Sequence, residues 1–212
     1  MKKMMRSRTP VREAAGGDAT RDTDKHGRRE GKREPGCAPG RQGQAGFMLL
    51  DDLEIRPLLT VAQLAALHQR HRGDRNYART LAEAVASGSP VLERAGAWLL
   101  RREATERGGL PDEDWLVVLD ALAGVRSWAG RLILCQLLSA QPRLMDAAPA
   151  DVADFLRSCA RDAKPTVRAW SVNAFHELAR RQGAFQVEAR RWVAAARRDR
   201  AKCVQARLRH LA

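Results

Sequence analysis

His176 opens the stretch His176-Glu177-Leu178-Ala179-Arg180. Two histidines one helical turn apart can share a zinc ion while the glutamate beside the first acts as base, but Arg180 stands where the second imidazole would have to be. His176 is therefore expected to be an ordinary exposed helix residue. His68 and His71, three apart, share a helical face, yet no cysteine or third acid at ligand spacing accompanies them, and no metal is assigned. Arg72-Gly73-Asp74 reads as a turn. Of Cys37, Cys135, Cys159 and Cys203, three fall in apolar helical patterns and none has a paired spacing. They are expected as buried, reduced thiols rather than metal ligands or a disulfide framework. GxGxxG, GxxxxGK[ST] and GxSxG are all absent, so neither those phosphate loops nor a hydrolase nucleophile turn is supported. No catalytic residue and no cofactor is assigned.

The C-terminal cations are the feature that packing does not explain. Arg180-Arg181, Arg190-Arg191, Arg197-Arg198, Arg200, Lys202, Arg207 and Arg209 follow one another with few acids between them. The net charge of +13 is correspondingly uneven. Residues 1–46 hold 12 Lys/Arg against 6 Asp/Glu, residues 47–156 hold 12 against 15, and residues 157–212 hold 14 against 4. Stacked helices could align such arginines into a stripe that attracts phosphates or an acidic protein. The residues assigned to that surface are Arg168, Arg190, Arg191, Arg197, Arg198, Lys202 and Arg207. The competing explanation is compositional: an Ala/Arg-rich sequence writes Arg wherever a long solvated side chain is tolerated.

The elements that would carry these side chains are helices. Aromatics make up 5% of the 212 residues, hydrophobics 44%, and Ala, Leu and Arg dominate, a composition that loses little rotamer freedom on a helical surface. An all-α fold follows. No apolar run approaches the roughly 18 residues of a membrane span, and the basic N-terminus lacks the apolar centre of a secretory signal, so no membrane association and a cytoplasmic location are expected. Residues 1–47 are rich in Gly, Arg and Asp and nearly lack large aliphatics, which predicts a disordered basic tail. Met48 begins a different composition and is an alternative natural start.

The rest of the chain repeats. Counting from Val125 and from Val167, apolar or small residues fall at 0, +3, +4, +7 and +8: Val125, Trp128, Ala129, Leu132, Ile133, and Val167, Trp170, Ser171, Ala174, Phe175. That spacing puts five residues on one side of a helix. Leu92, Ala95, Gly96, Leu99 and Leu100 fit the same frame, and Arg200, Cys203, Val204, Arg207 and Leu208 fit less cleanly, with origins 33, 42 and 33 residues apart. Residues seven and eight before each origin are apolar or small as well, so each unit reads as two helices joined by a turn at Gly88-Ser89-Pro90, Gly124, Ala163-Lys164-Pro165 or Arg198-Asp199. One helical pair cannot cover its own apolar stripe, and stacking buries it. Before the units, Thr60-Val-Ala-Gln63 has capping-box spacing and starts a helix to about His71.

Pro165-Thr-Val-Arg-Ala-Trp-Ser-Val-Asn-Ala-Phe-His-Glu-Leu178 resembles the second helix of a HEAT repeat, and Val125-Arg126 onward is similar. The resemblance covers residues 76–212 and implies a right-handed α-solenoid of about four helical pairs, at roughly 76–109, 110–149, 150–183 and 184–212, with residues 48–75 forming an N-terminal capping helix region. Such folds commonly serve as non-enzymatic scaffolds, so the expected function is binding of a protein partner, an acidic one, along the inner helices. The alternative is nucleic-acid backbone binding through the C-terminal arginines. A third is a glycosylase, because HEAT-like DNA alkylation-repair glycosylases share the architecture and use Trp, Asp and Arg. Trp115, Asp120, Trp128, Arg168 and Trp170 are of those types, but Trp128 and Trp170 occupy the packing frame and no catalytic role is carried over.

Overall fold

The computed structural model describes residues 44–54, 59–209 and 211, and among them every regular element is helical, with no strand. The expected tail, with Cys37, lies outside the described residues, except that a helix already begins at Gln44. The helices are α1 (Gln44–Glu54), α2 (Val61–His71), α3 (Tyr77–Ala86), α4 (Pro90–Glu106), α5 (Asp112–Ala121), α6 (Trp128–Ala140), α7 (Pro149–Cys159), α8 (Pro165–Arg181), α9 (Gln186–Ala196) and α10 (Lys202–Leu208). None of the described helices is long and apolar enough to cross a membrane.

Local chemistry sets the ends. Thr60 caps α2: its hydroxyl accepts the Gln63 N–H (3.3 Å), and the Gln63 carbonyl oxygen accepts the Thr60 N–H (2.8 Å). Pro90, Pro149 and Pro165 open α4, α7 and α8, where a missing N–H leaves no intrahelical bond unmade. Asp112, Glu113 and Asp114 fill the first turn of α5, at the positive end of its dipole.

Helix α4 packs on α6, α6 on α8, and α8 on α10, so these four form a row. Helix α3 packs on α4 and α5, while α7 and α9 pack on α8, and α1 and α2 close over α4. One apolar core runs from Leu49 and Leu53 through Leu81, Leu99, Leu138 and Leu156 to Phe175 and Ala189, with a smaller cluster of Ala169, Val172, Ala196 and Val204 at the C-terminal end. Gly96 lets α4 lie almost against α3: a Cβ there would sit 2.9 Å from the Ala84 Cβ and 3.0 Å from the Leu81 carbonyl.

The structure corrects the spacing read from the sequence. The row helices begin at Pro90, Trp128, Pro165 and Lys202, which are 38, 37 and 37 residues apart rather than 33, 42 and 33. Two residues inside each start lie Leu92, Gly130, Val167 and Val204, all buried. The frame holds for α4 and α8. It fails for α6, whose buried residues are Gly130, Leu134, Cys135, Leu137 and Leu138, while Val125 is buried in the preceding turn and Trp128 is 49% exposed.

Candidate functional site

The turns that precede the row helices are tied together by a ladder of side chains. Arg131 donates through Nε to the carbonyl of Val125, six residues back in its own turn (3.0 Å), and through Nη1 to Asp162 in the next turn (3.2 Å). Arg168 repeats this 37 residues later. Its Nη1 donates to the carbonyl of Asp162 (2.9 Å), again six back, and its Nε and Nη2 grip both oxygens of Asp199 (2.9 and 3.0 Å). Gln205 donates to the carbonyl of Asp199 (2.8 Å), six back once more. In the first rung the polarity is inverted: the fully buried carboxylate of Glu93 accepts the backbone N–H groups of Arg126 (3.1 Å) and Ser127 (2.6 Å). The hydrogen bond from Arg168, followed by that from the Ala201 N–H, holds the Asp199 carboxyl below the usual range.

The ladder decides which of the seven assigned cations face solvent. Arg168 does not: its donors go to Asp199 and to the carbonyls of Asp162 and Ala163. Arg207 sits over Trp170, its guanidinium carbon 3.4 Å from the ring centroid, and donates to the Asn173 side chain (2.9 Å). Burial lowers its pKa, and no carboxylate partners it among the described residues. Arg190, Arg191, Arg197, Arg198 and Lys202 are exposed. The single stripe expected from the sequence is thus divided into solvent-facing groups and two half-buried arginines, Arg168 and Arg207, held by the fold.

The first exposed group rims a groove. A cavity of about 450 Å³ between α8 and α9 has a floor of Ala179, Ala189, Val193 and Ala194, with Arg180, Arg190 and Arg197 around it. Arg180 leans toward Glu177 (3.4 Å), and Arg190 and Arg197 have no acidic partner among the described residues. His176, expected on the surface, lines the groove with its ring only partly exposed and its Nδ1 buried without a hydrogen-bond partner. The second group sits on the ladder's turns: Arg198, Arg200 and Lys202, joined by Arg161 and Lys164 from the turn before. Arg161 and Lys164 were not assigned from the sequence, although the 37-residue offset between Arg161 and Arg198, and between Asp162 and Asp199, would have exposed the first of them.

The remaining candidates are structural or separate. His68 is fully buried, its Nδ1 3.1 Å from the Tyr77 hydroxyl and its Nε2 2.9 Å from Glu106. The bonds from His68, then Arg102, bring the Glu106 carboxyl down to about 2, while burial, reinforced by Glu103, pushes the Tyr77 phenol above its usual range. His71 instead faces Asp74 (3.1 Å) and Asp52 (3.5 Å), so the two imidazoles do not share a ligand position. Among the described residues no group of three or more His, Cys, Asp or Glu side chains is placed to hold a metal. Cys135 and Cys159 are buried, and burial, followed by the hydrogen bond with Cys159, pushes the Cys135 thiol up. Cys203 is exposed, contrary to expectation, because it falls on the open side of short α10. Trp115 is buried and donates to the Leu144 carbonyl, and Asp120 lines a cavity with Asp151 and Asp154 while Arg168 is held by Asp199. Asp120 and Arg168, two of the residue types noted for a glycosylase reading, therefore serve different surroundings. Comparison with known proteins gave no match: no family model, no curated protein and no solved structure.

Proposed function

We propose that this chain is a non-enzymatic, HEAT-like scaffold, a right-handed α-solenoid of four helical pairs, that binds an acidic protein partner. The regular helix starts and the forward-reaching ladder support the repeat reading, because each turn is held by the helix of the preceding pair. The observation that carries partner binding is the α8–α9 groove, with its aliphatic floor and arginine rim. An amphipathic helix with carboxylates flanking small apolar residues would bury its apolar face on Val193 and set its charges against Arg190 and Arg197. The expectation of binding along the inner helices is thereby narrowed to α8 and its neighbour α9. A cytoplasmic location is part of the same proposal.

The test is affinity purification from the native host with and without nuclease, using the natural chain and Val193→Glu. The reading expects a protein that is retained after nuclease and is lost from the variant, with the variant's circular dichroism unchanged. Recovery of only nuclease-sensitive material overturns it.

A further inference from the structure

We propose that the edge formed by the turns before α6, α8 and α10 is a binding surface for an unpaired nucleic-acid strand, with cations on the backbone and Trp128 stacked on a base. The inference goes beyond the protein-binding reading and stands on a different surface.

Helices α6, α8 and α10 pack side by side, and Arg131 and Arg168 bridge each turn to the next, so the segments 122–128, 160–165 and 197–202 line one edge. Neighbouring helix axes of this kind are about 10 Å apart. Two acids lie in these segments, and both are occupied internally. Asp162 takes Arg131 and the Lys164 N–H (2.8 Å), and Asp199 takes Arg168 and the Ala201 N–H (2.8 Å). Their side chains are only 10% and 17% exposed. Left outside are Arg126, Arg161, Lys164, Arg198, Arg200 and Lys202, with Arg197 turned to the α8–α9 groove, all exposed and none in an ion pair among the described residues. The ladder thus withdraws the negative charge of Asp162 and Asp199 and leaves the cations of the 160–165 and 197–202 turns in water, while Asp120, Asp151 and Asp154 line a cavity beside Arg126 at the first turn.

The chemistry of the edge selects the partner. The core of a protein interface is a desolvated apolar patch depleted in charged residues, and at this edge the one large apolar side chain in the open is Trp128. Its ring is the edge's other unexplained feature: it is about half exposed at the start of α6, with the Lys164 ammonium 5.6 Å from its centroid. A row of cations that ends in an exposed ring is the arrangement that holds single strands, with phosphates tracked by charge and a base stacked on the aromatic face. In a duplex the base faces are already stacked, so the ring would have nothing to cover.

The full-length chain is titrated with a fluorescein-labelled 20-nucleotide single strand of mixed sequence and with the corresponding duplex, by anisotropy between 50 and 200 mM salt. The expected result is tighter binding of the single strand, with quenching of tryptophan fluorescence at saturation. Trp128→Leu should abolish most of the quench. Joint replacement of Lys164, Arg198, Arg200 and Lys202 by Ala should weaken binding at least tenfold and shallow the log–log salt slope by about 0.7 per lost phosphate contact. The basic N-terminal segment is common to both proteins, so the difference reports the edge, and unchanged circular dichroism verifies the fold. The proposal is overturned by an absence of binding at 50 mM salt, by equal affinity of the quadruple variant, by duplex binding as tight as single-strand binding without quench, or by equal competition from polyglutamate of the same charge. None of these outcomes bears on a nuclease-resistant partner of the α8–α9 groove, so the two readings fail separately.

Discussion

Arg168 was a candidate for an external anion, and the fold supplies it with an internal one. Its fork meets both oxygens of Asp199 while a third donor closes on the carbonyl of its own turn, a bidentate geometry that Lys could not reproduce. The pair is mostly shielded, with side chains 24% and 17% exposed, whereas Arg79–Glu83 on α3 is 61% and 52% exposed. Charge-assisted bonds shielded from water contribute more than surface pairs, whose median is at most about 1 kcal/mol. A double-mutant cycle of Arg168→Ala and Asp199→Ala, read by urea denaturation, should give a coupling of about 1–3 kcal/mol, against about 0.5 kcal/mol or less for Arg79 and Glu83. Equal couplings for the two pairs would show that the ladder contributes no more than ordinary surface charge.

At the scale of the helix, close approach between α3 and α4 rests on one missing side chain. A methyl at Gly96 would meet Ala84 and the backbone of Leu81 and Val85 at 2.9 to 3.2 Å, and backbone cannot rotate away. Gly96→Ala should therefore destabilise the protein by about 1–3 kcal/mol, although Ala is the better helix former by about 1 kcal/mol. A midpoint in urea unchanged or raised would mean that α4 shifts freely on α3. The small residue at this position was legible in the sequence, as were α4, α8 and the Thr60 cap, because proline, glycine and capping residues act locally. The second unit was misread for a local reason too. Gly124-Val125-Arg126 resembles Thr166-Val167-Arg168, but no proline precedes it, and Ser127 caps instead, its hydroxyl accepting the Gly130 N–H (3.1 Å). The helix starts at Trp128, Val125 becomes a turn residue, and Trp128 rolls outward. The candidate surfaces were less legible than the helices. Which arginines face water depends on partners 31 to 34 residues away, and pairing at that range follows from the stacking period, which the misplaced second unit had obscured.

Among the described residues four joints between helices share one chemistry: a carboxylate of one element held by side-chain donors of another. Glu106 of α4 takes His68 and Arg72 from the α2 side, Asp146 after α6 takes Arg181 of α8, Glu188 of α9 takes Arg157 of α7, and Asp199 before α10 takes Arg168 of α8. The donors lower the pKa of all four carboxyls, Glu106 to about 2. In the unfolded chain these groups titrate near 4. A carboxyl lowered by folding contributes its stability above the unfolded value and loses it as pH falls through the folded one. Asp114, raised by burial and then by Glu113, works in the opposite direction but stands alone at the start of α5. The melting temperature should accordingly be level between pH 7 and about 5 and fall steeply between about 4.5 and 2, with a cooperative loss of helical ellipticity, because the joints weaken together. Moderate salt at neutral pH should weaken the Arg181–Asp146 pair, whose side chains are 40% and 39% exposed, more than the better shielded Arg168–Asp199 pair. Calorimetry across that range checks the sign directly. A melting temperature that holds or rises from pH 5 to pH 3 would mean that the carboxylates do not lock the stacked helices, and that apolar burial alone sets the register of each pair on the next.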